Sequence, residues 1–366
     1  NLRTHGKKLS ATPWVSGNSI TLTALDGGLG TVTDFLEINS SRRASGLVQA
    51  RAEDSVFLTE TSGDLNLDYV VSTETDVVLR TLSGSILDAK TEDAHPSDET
   101  VFIDQIDVQA NNIDLLVTGS IGTAGNDVEI SGGGTGQARN VFEVDLSVPD
   151  PGRLLAQGPS GVYLKEMSGG VSVLNATSTS GDVRLTVFDS VRSGEDFTLQ
   201  TIGQSLTGNS VTGGLVSAAG SVSINVGDDL TVPAGTTLMA GTSIALTGDS
   251  AVVDPDPNTG SSIDIVGTVT ATTTVTIDGG NDIDFIQMRS PNGITGTTTV
   301  RGNASDDRFF VSVLASDMTI NGGSGSDRFY VSSNAARSLF ETDGVYNDDG
   351  PAGASLLDQV AFPFSQ

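Results

Sequence analysis

From Ser19 onward the chain is written in short runs where apolar and polar positions alternate. One compact unit recurs: a glycine, an Asp or Ser, then apolar, any residue, apolar. It stands at Gly63-Asp64-Leu65-Asn66-Leu67, at Gly181-Asp182-Val183-Arg184-Leu185 and at Gly220-Ser221-Val222-Ser223-Ile224. Close variants begin at Asp76, Asn112, Glu195, Thr242 and Ser262. Successive side chains of a strand point to opposite faces, so each unit predicts a turn followed by a short strand with one buried side. The inward positions Val222, Ile244, Ile263 and Ile283 follow one another at a nearly constant interval. Further short strands, such as Leu230-Thr231-Val232 and Thr237-Leu238-Met239, fall between them. Two or three strands per coil of about 20 residues predict an all-β chain folded as a parallel β-helix, or solenoid. A sandwich of hairpins would need turns every 8–12 residues or so without the longer period, and locally that alternative stays open. The expected organisation is an irregular leader over 1–19, a solenoid over 20–331 and a C-terminal tail over 332–366. Helical patterning is confined to a turn or two near 334–339.

A second motif marks the end of the solenoid, over 277–331. Gly322-Gly323-Ser324-Gly325-Ser326-Asp327-Arg328-Phe329 fits GGxGxDxU, where U is a large apolar residue. Weaker copies start at Gly302 and Gly279, so the motif recurs once in each expected coil. Glycines at Gly279, Gly302, Gly322, Gly323 and Gly325 are expected to supply positive-φ turn positions. Asp284, Asp307 and Asp327, with the neighbouring Asp282 and Asp306, set carboxylates beside turn carbonyls. That donor set suits a hard cation. It equally suits aspartates that hydrogen-bond their own turns, and the residues leave both roles open.

These copies resemble the RTX, or haemolysin-type, repeats of secreted bacterial proteins, and the resemblance implies calcium as a cofactor held between stacked turns. It covers only 277–331 and departs from the family pattern in having one motif per coil instead of an unbroken tandem. The segments Ser62–Leu67, Ser83–Ala89 and Gly119–Thr123 resemble the coils of filamentous-haemagglutinin-like adhesins. That resemblance implies a β-helical protein of the bacterial surface, with cell-surface glycans among its partners.

Composition narrows the picture. Forty-six acidic against 18 basic residues give a formal charge of −28. Such a surface repels nucleic acid and anionic membrane and favours divalent cations. Cysteine is absent, so disulfides and thiol chemistry are excluded. No apolar run reaches the length of a membrane-spanning helix. The start, Asn1-Leu2-Arg3-Thr4, has neither an initiator methionine nor an apolar signal region, so a mature or excised portion of a longer precursor is expected.

Catalytic chemistry finds little support. Adjacent carboxylates such as Asp228-Asp229 and Asp306-Asp307 point to opposite faces of a strand, whereas hydrolysis wants two at a fixed separation. The two histidines, His5 and His95, stand outside the strand pattern. The sequence therefore reads as a structural extracellular protein and not an enzyme. Trp14 and Val15 near one end, and Val360, Phe362 and Phe364 near the other, are candidate docking residues for a head-to-tail homopolymer. They suit equally a pair of caps folded back on their own solenoid. A rigid stalk or adhesin module within one long polypeptide is the alternative function, and a polysaccharide-degrading β-helix enzyme comes after it.

Overall fold

The computed structural model describes residues 14–42, 46–89, 106–132, 153–167, 169–189, 194–207, 210–212, 214–250, 260–332 and 346–348. Among them there is no helix; the strands are short and, with one exception, pair in parallel. The chain is a parallel β-helix, and its residues fall into two compact units, 1–185 with 202–212, and 186–201 with 213–366.

The first unit carries two ladders. One runs through Val15–Ser16, Leu36–Asn39, Val56–Glu60, Asp76–Thr81, Asn112–Leu116 and Leu154–Gln157. The other runs through Ser19–Ala24, Leu47–Ala52 and Leu65–Ser72. Leu65–Ser72 then pairs with two shorter strands, Ile86–Asp88 and Val108–Gln109. Alternation within these strands fills the interior with Val48, Leu58, Leu67, Leu79, Ile113 and Leu115, all 0% exposed. Full burial of each stabilises the fold by about 1.5–3 kcal/mol. Val56 pairs with Val77, Val77 with Ile113 and Ile113 with Leu154, and the last two steps span far more chain than the first. Two coils therefore carry extra chain. The expected loops at 90–99 and 147–152 lie in those intervals, outside the described residues, as does 254–258 in the second unit.

The second unit has three ladders. Phe197–Leu199, Leu230–Val232, Ser262–Ile265, Phe285–Met288, Arg308–Val311 and Arg328–Val331 form the first. Leu215–Ala218, Thr237–Ala240 and the start of Thr268–Asp278 form the second. Val222–Asn225, Ser243–Thr247, the rest of Thr268–Asp278, Ile294–Arg301 and Met318–Gly323 form the third. Inside the first ladder Leu230, Ile263, Ile286, Phe309 and Phe329 stack in one column, with the Phe309 and Phe329 rings parallel at 5.0 Å.

This arrangement corrects the sequence-derived register. Val222 does pair with Ile244, but the next partner of Ile244 is Val275, not Ile263. Ile263 belongs to another ladder, where its partner is Ile286, and Ile283 is 57% exposed. In a coil of three strands, a regular step along the sequence lands on a different ladder whenever a turn lengthens, so a constant interval is not proof of a shared column.

The one antiparallel pair, Ile202–Gln204 with Ser210–Thr212, belongs to the first unit. Its connecting residue Leu206 packs on the buried cluster of Phe35, Phe57 and Val78, and its backbone N–H donates to Asp114 Oδ2 at 2.8 Å.

Candidate functional site

The motif aspartates form a column, one per coil, just before the first-ladder strands of the second unit. Asp284, Asp307 and Asp327 are 1%, 0% and 3% exposed. Each commits Oδ1 to the backbone of the preceding coil. The Ser261 N–H donates to Asp284 at 2.9 Å, the Asp284 N–H to Asp307 at 2.8 Å and the Asp307 N–H to Asp327 at 3.0 Å. Hydrogen bonding by turn aspartates was one of the two expected roles, but these bonds cross between coils and do not close the aspartates' own turns. The residue two places on turns inward in each copy: Ile286, Phe309 and Phe329 are all buried.

The glycines five residues earlier are required for a different reason than φ. A methyl group on Gly279, Gly302 or Gly322 would stand 2.0, 2.0 or 2.1 Å from Oδ2 of the aspartate in the same copy. The carboxyl lies on the bare glycine backbone, and this contact fixes the spacing of the motif. Positive φ occurs one or more residues later, at Gly280 (116°), Gly323 (90°) and Gly325 (150°). The expectation of positive φ thus holds for Gly323 and Gly325 and fails for Gly279, Gly302 and Gly322. In the middle copy Asn303 and Ser305 take φ of 71° and 79°, so this weaker copy adopts the same turn with residues that tolerate it less well.

The adjacent acidic pairs resolve in the same way. Asp307 reaches back to the preceding coil, while the exposed Asp306 accepts from the Ser326 N–H of the next coil at 2.8 Å. Asp228 accepts the Glu195 N–H of the preceding coil at 2.9 Å, and Asp229 accepts the Ser262 N–H of the next at 2.8 Å. Each pair ties its coil to both neighbours. Asp282 is half-buried.

Burial dominates the electrostatics. It pushes Asp284 up to about 7, against the Ser261 hydrogen bonds and with help from the charges of Asp249 and Asp278. It pushes Asp307 up to about 8, where the Asp284 N–H opposes it and Asp284, Asp327 and Asp306 add to it. Oδ2 of Asp284 and of Asp307 is buried without a hydrogen-bond partner.

A second acidic group lies in the first unit and was not anticipated. Asp88, Asp107 and Glu129 bring one carboxylate oxygen each to within 4.8 Å of one another. The residues are far apart in sequence, and each is a single carboxylate in or beside an ordinary strand, so no motif signals them. The ladder pairing of Val108 with Ile130 is what places Asp107 against Glu129.

Of the candidate docking residues, Val15 pairs with Ile38 and the Trp14 N–H donates to Glu37 O at 3.1 Å. Both therefore join the first described rung of their own ladder, with the Trp14 side chain 62% exposed. Val360, Phe362 and Phe364 lie outside the described residues. No family model, curated protein or solved structure matches the chain.

Proposed function

We propose that the chain is a structural extracellular protein whose stacked coils serve as a stalk or adhesin module of a surface polypeptide. The observation carrying this reading is the column of inter-coil bonds. The motif aspartates Asp284, Asp307 and Asp327 are buried against glycine and bonded to the neighbouring coil's backbone. Such bonds exist only when coils are stacked, so the chemistry of the motif serves the integrity of the stack. The resemblance to filamentous-haemagglutinin-like adhesins supports the surface location and a glycan as the adhesive ligand. The formal charge of −28 suits a cation-rich exterior.

Head-to-tail assembly is the second reading, favoured by the exposed Trp14 on the first described rung. An exposed aromatic of this kind is a suitable anchor for another copy. Light scattering on a sizing column separates the two. A monomer of 37.5 kDa at all concentrations supports the module. A polymer that Trp14→Ser dissolves supports assembly and overturns the module reading.

A further inference from the structure

We propose that Asp88, Asp107 and Glu129 form a calcium site that ties together two neighbouring coils of the first unit. The three ligand oxygens lie within 4.8 Å of one another. Calcium holds oxygens at about 2.3–2.6 Å, so a pair on opposite sides of the ion stands up to about 5 Å apart. The cluster matches that span.

A separate observation points to a ligand. Asp107 is 0% exposed, and its two oxygens fare differently. Oδ2 accepts the Glu129 N–H at 3.1 Å, while Oδ1 is buried with no hydrogen-bond donor. A buried carboxylate oxygen left unmatched carries a desolvation cost, and here a second buried acid, Glu129 at 5% exposure, adds its charge. Repulsion of this kind is relieved when a cation sits among the oxygens. Around the cluster stand Asn126, whose Nδ2 donates to Asp88 Oδ2 at 2.9 Å, and Lys165, which neighbours Glu129 across the ladder. An all-oxygen donor set selects a hard divalent cation over a softer one.

The site would join the end of strand Ile86–Asp88, the residue before Val108–Gln109 and the second residue of Val128–Ser131. It thus fastens a coil that carries extra chain between positions 88 and 107 to the coil that follows it.

Titrating the whole chain with calcium chloride in a calorimeter, with thermal melts in parallel, tests this. Wild type is expected to bind calcium and to melt at higher temperature with it. Asp107→Asn and, as a second variant, Glu129→Gln should keep the β far-ultraviolet spectrum and lose both responses, while Asp306→Asn in the glycine-rich turns keeps them. Absence of calcium binding by wild type at millimolar concentration overturns the proposal. So does binding that survives both cluster variants or that disappears with Asp306→Asn alone, which would assign the ion to the motif turns.

Discussion

At the scale of the residue, the informative comparison is between Ser261 and the aspartates that continue its column. Ser261 Oγ donates to Gly279 O of the next coil at 2.8 Å and to Asp284 Oδ1 at 3.1 Å. The slot beside the glycine therefore wants a donor directed at the next coil's carbonyl. For Asp307 that slot is bounded by Gly322 O, 2.7 Å from where a methyl on Gly302 would sit. An ionised carboxylate has no donor to give, whereas a protonated one does. This accounts for the buried Oδ2 atoms that lack partners and agrees with values raised to about 7 and about 8 from an ordinary 3.8. The sign follows from linkage: the folded state holds protons that the unfolded chain has released. The contribution of this pair to stability is full below about pH 4 and is lost as pH rises through 7 and 8. Asn supplies the same acceptor, for the Asp284 N–H, together with a permanent donor. Asp307→Asn is therefore expected to raise the urea midpoint at pH 8.5 by an amount worth about 1–3 kcal/mol and to change it little at pH 4. A wild-type curve that shows no loss between those pH values, or a variant less stable at pH 8.5, would refute the protonated ladder.

At the scale of the element, strand existence was legible and strand partnership was not. The recurring unit marks real strands at Leu65–Ser72, Val183–Val187, Val222–Asn225, Ser243–Thr247 and Ser262–Ile265, because alternation is a local property of each run. Partnership depends on how much chain each turn consumes, and turns of unequal length erased the regular interval that assigned Ile263 and Ile283 to the column of Ile244. The glycine-to-aspartate spacing was visible, but its cause was not, since carboxyl-on-glycine packing is a contact made only in the folded turn. The antiparallel pair over 202–212 left a signal too: Gly208-Asn209 between two short runs is a turn sequence. What the sequence hides is its target. Phe35 and Phe57 meet edge-to-face at 5.4 Å, Arg80 lies 3.9 Å over the Phe35 ring, and Leu206 packs against the group. Leu206→Asp should set a carboxylate against this apolar group and near Asp114, and so release the hairpin. Limited proteolysis within 202–212 is expected to accelerate severalfold, with the main unfolding transition lowered by no more than about 2 kcal/mol. Unchanged cleavage would mean that the hairpin is held by its backbone bonds alone.

At the scale of the whole molecule, the ladders make energy a matter of neighbours. Each coil touches the one before and the one after, so stability is close to a sum of coil terms and interface terms. The aspartate column strengthens only the interface terms, because every bond in it crosses a coil boundary. Phe309 is the position where this can be read. It is 0% exposed, stacks on the Phe329 ring and sits over Ile286 in the same column. Removing its ring should cost about 3–5 kcal/mol, felt first in the two adjacent rungs. Hydrogen exchange of Phe309→Ala is therefore expected to quicken across Phe285–Met288 and Arg328–Val331, while strands Val56–Glu60 and Asp76–Thr81 of the other unit keep the wild-type rate. Damage that stays local is what a nearest-neighbour stack requires. If exchange rises equally in both units, the chain unfolds as one cooperative body, and the long-range order of the stack resides in something other than the bonds between successive coils.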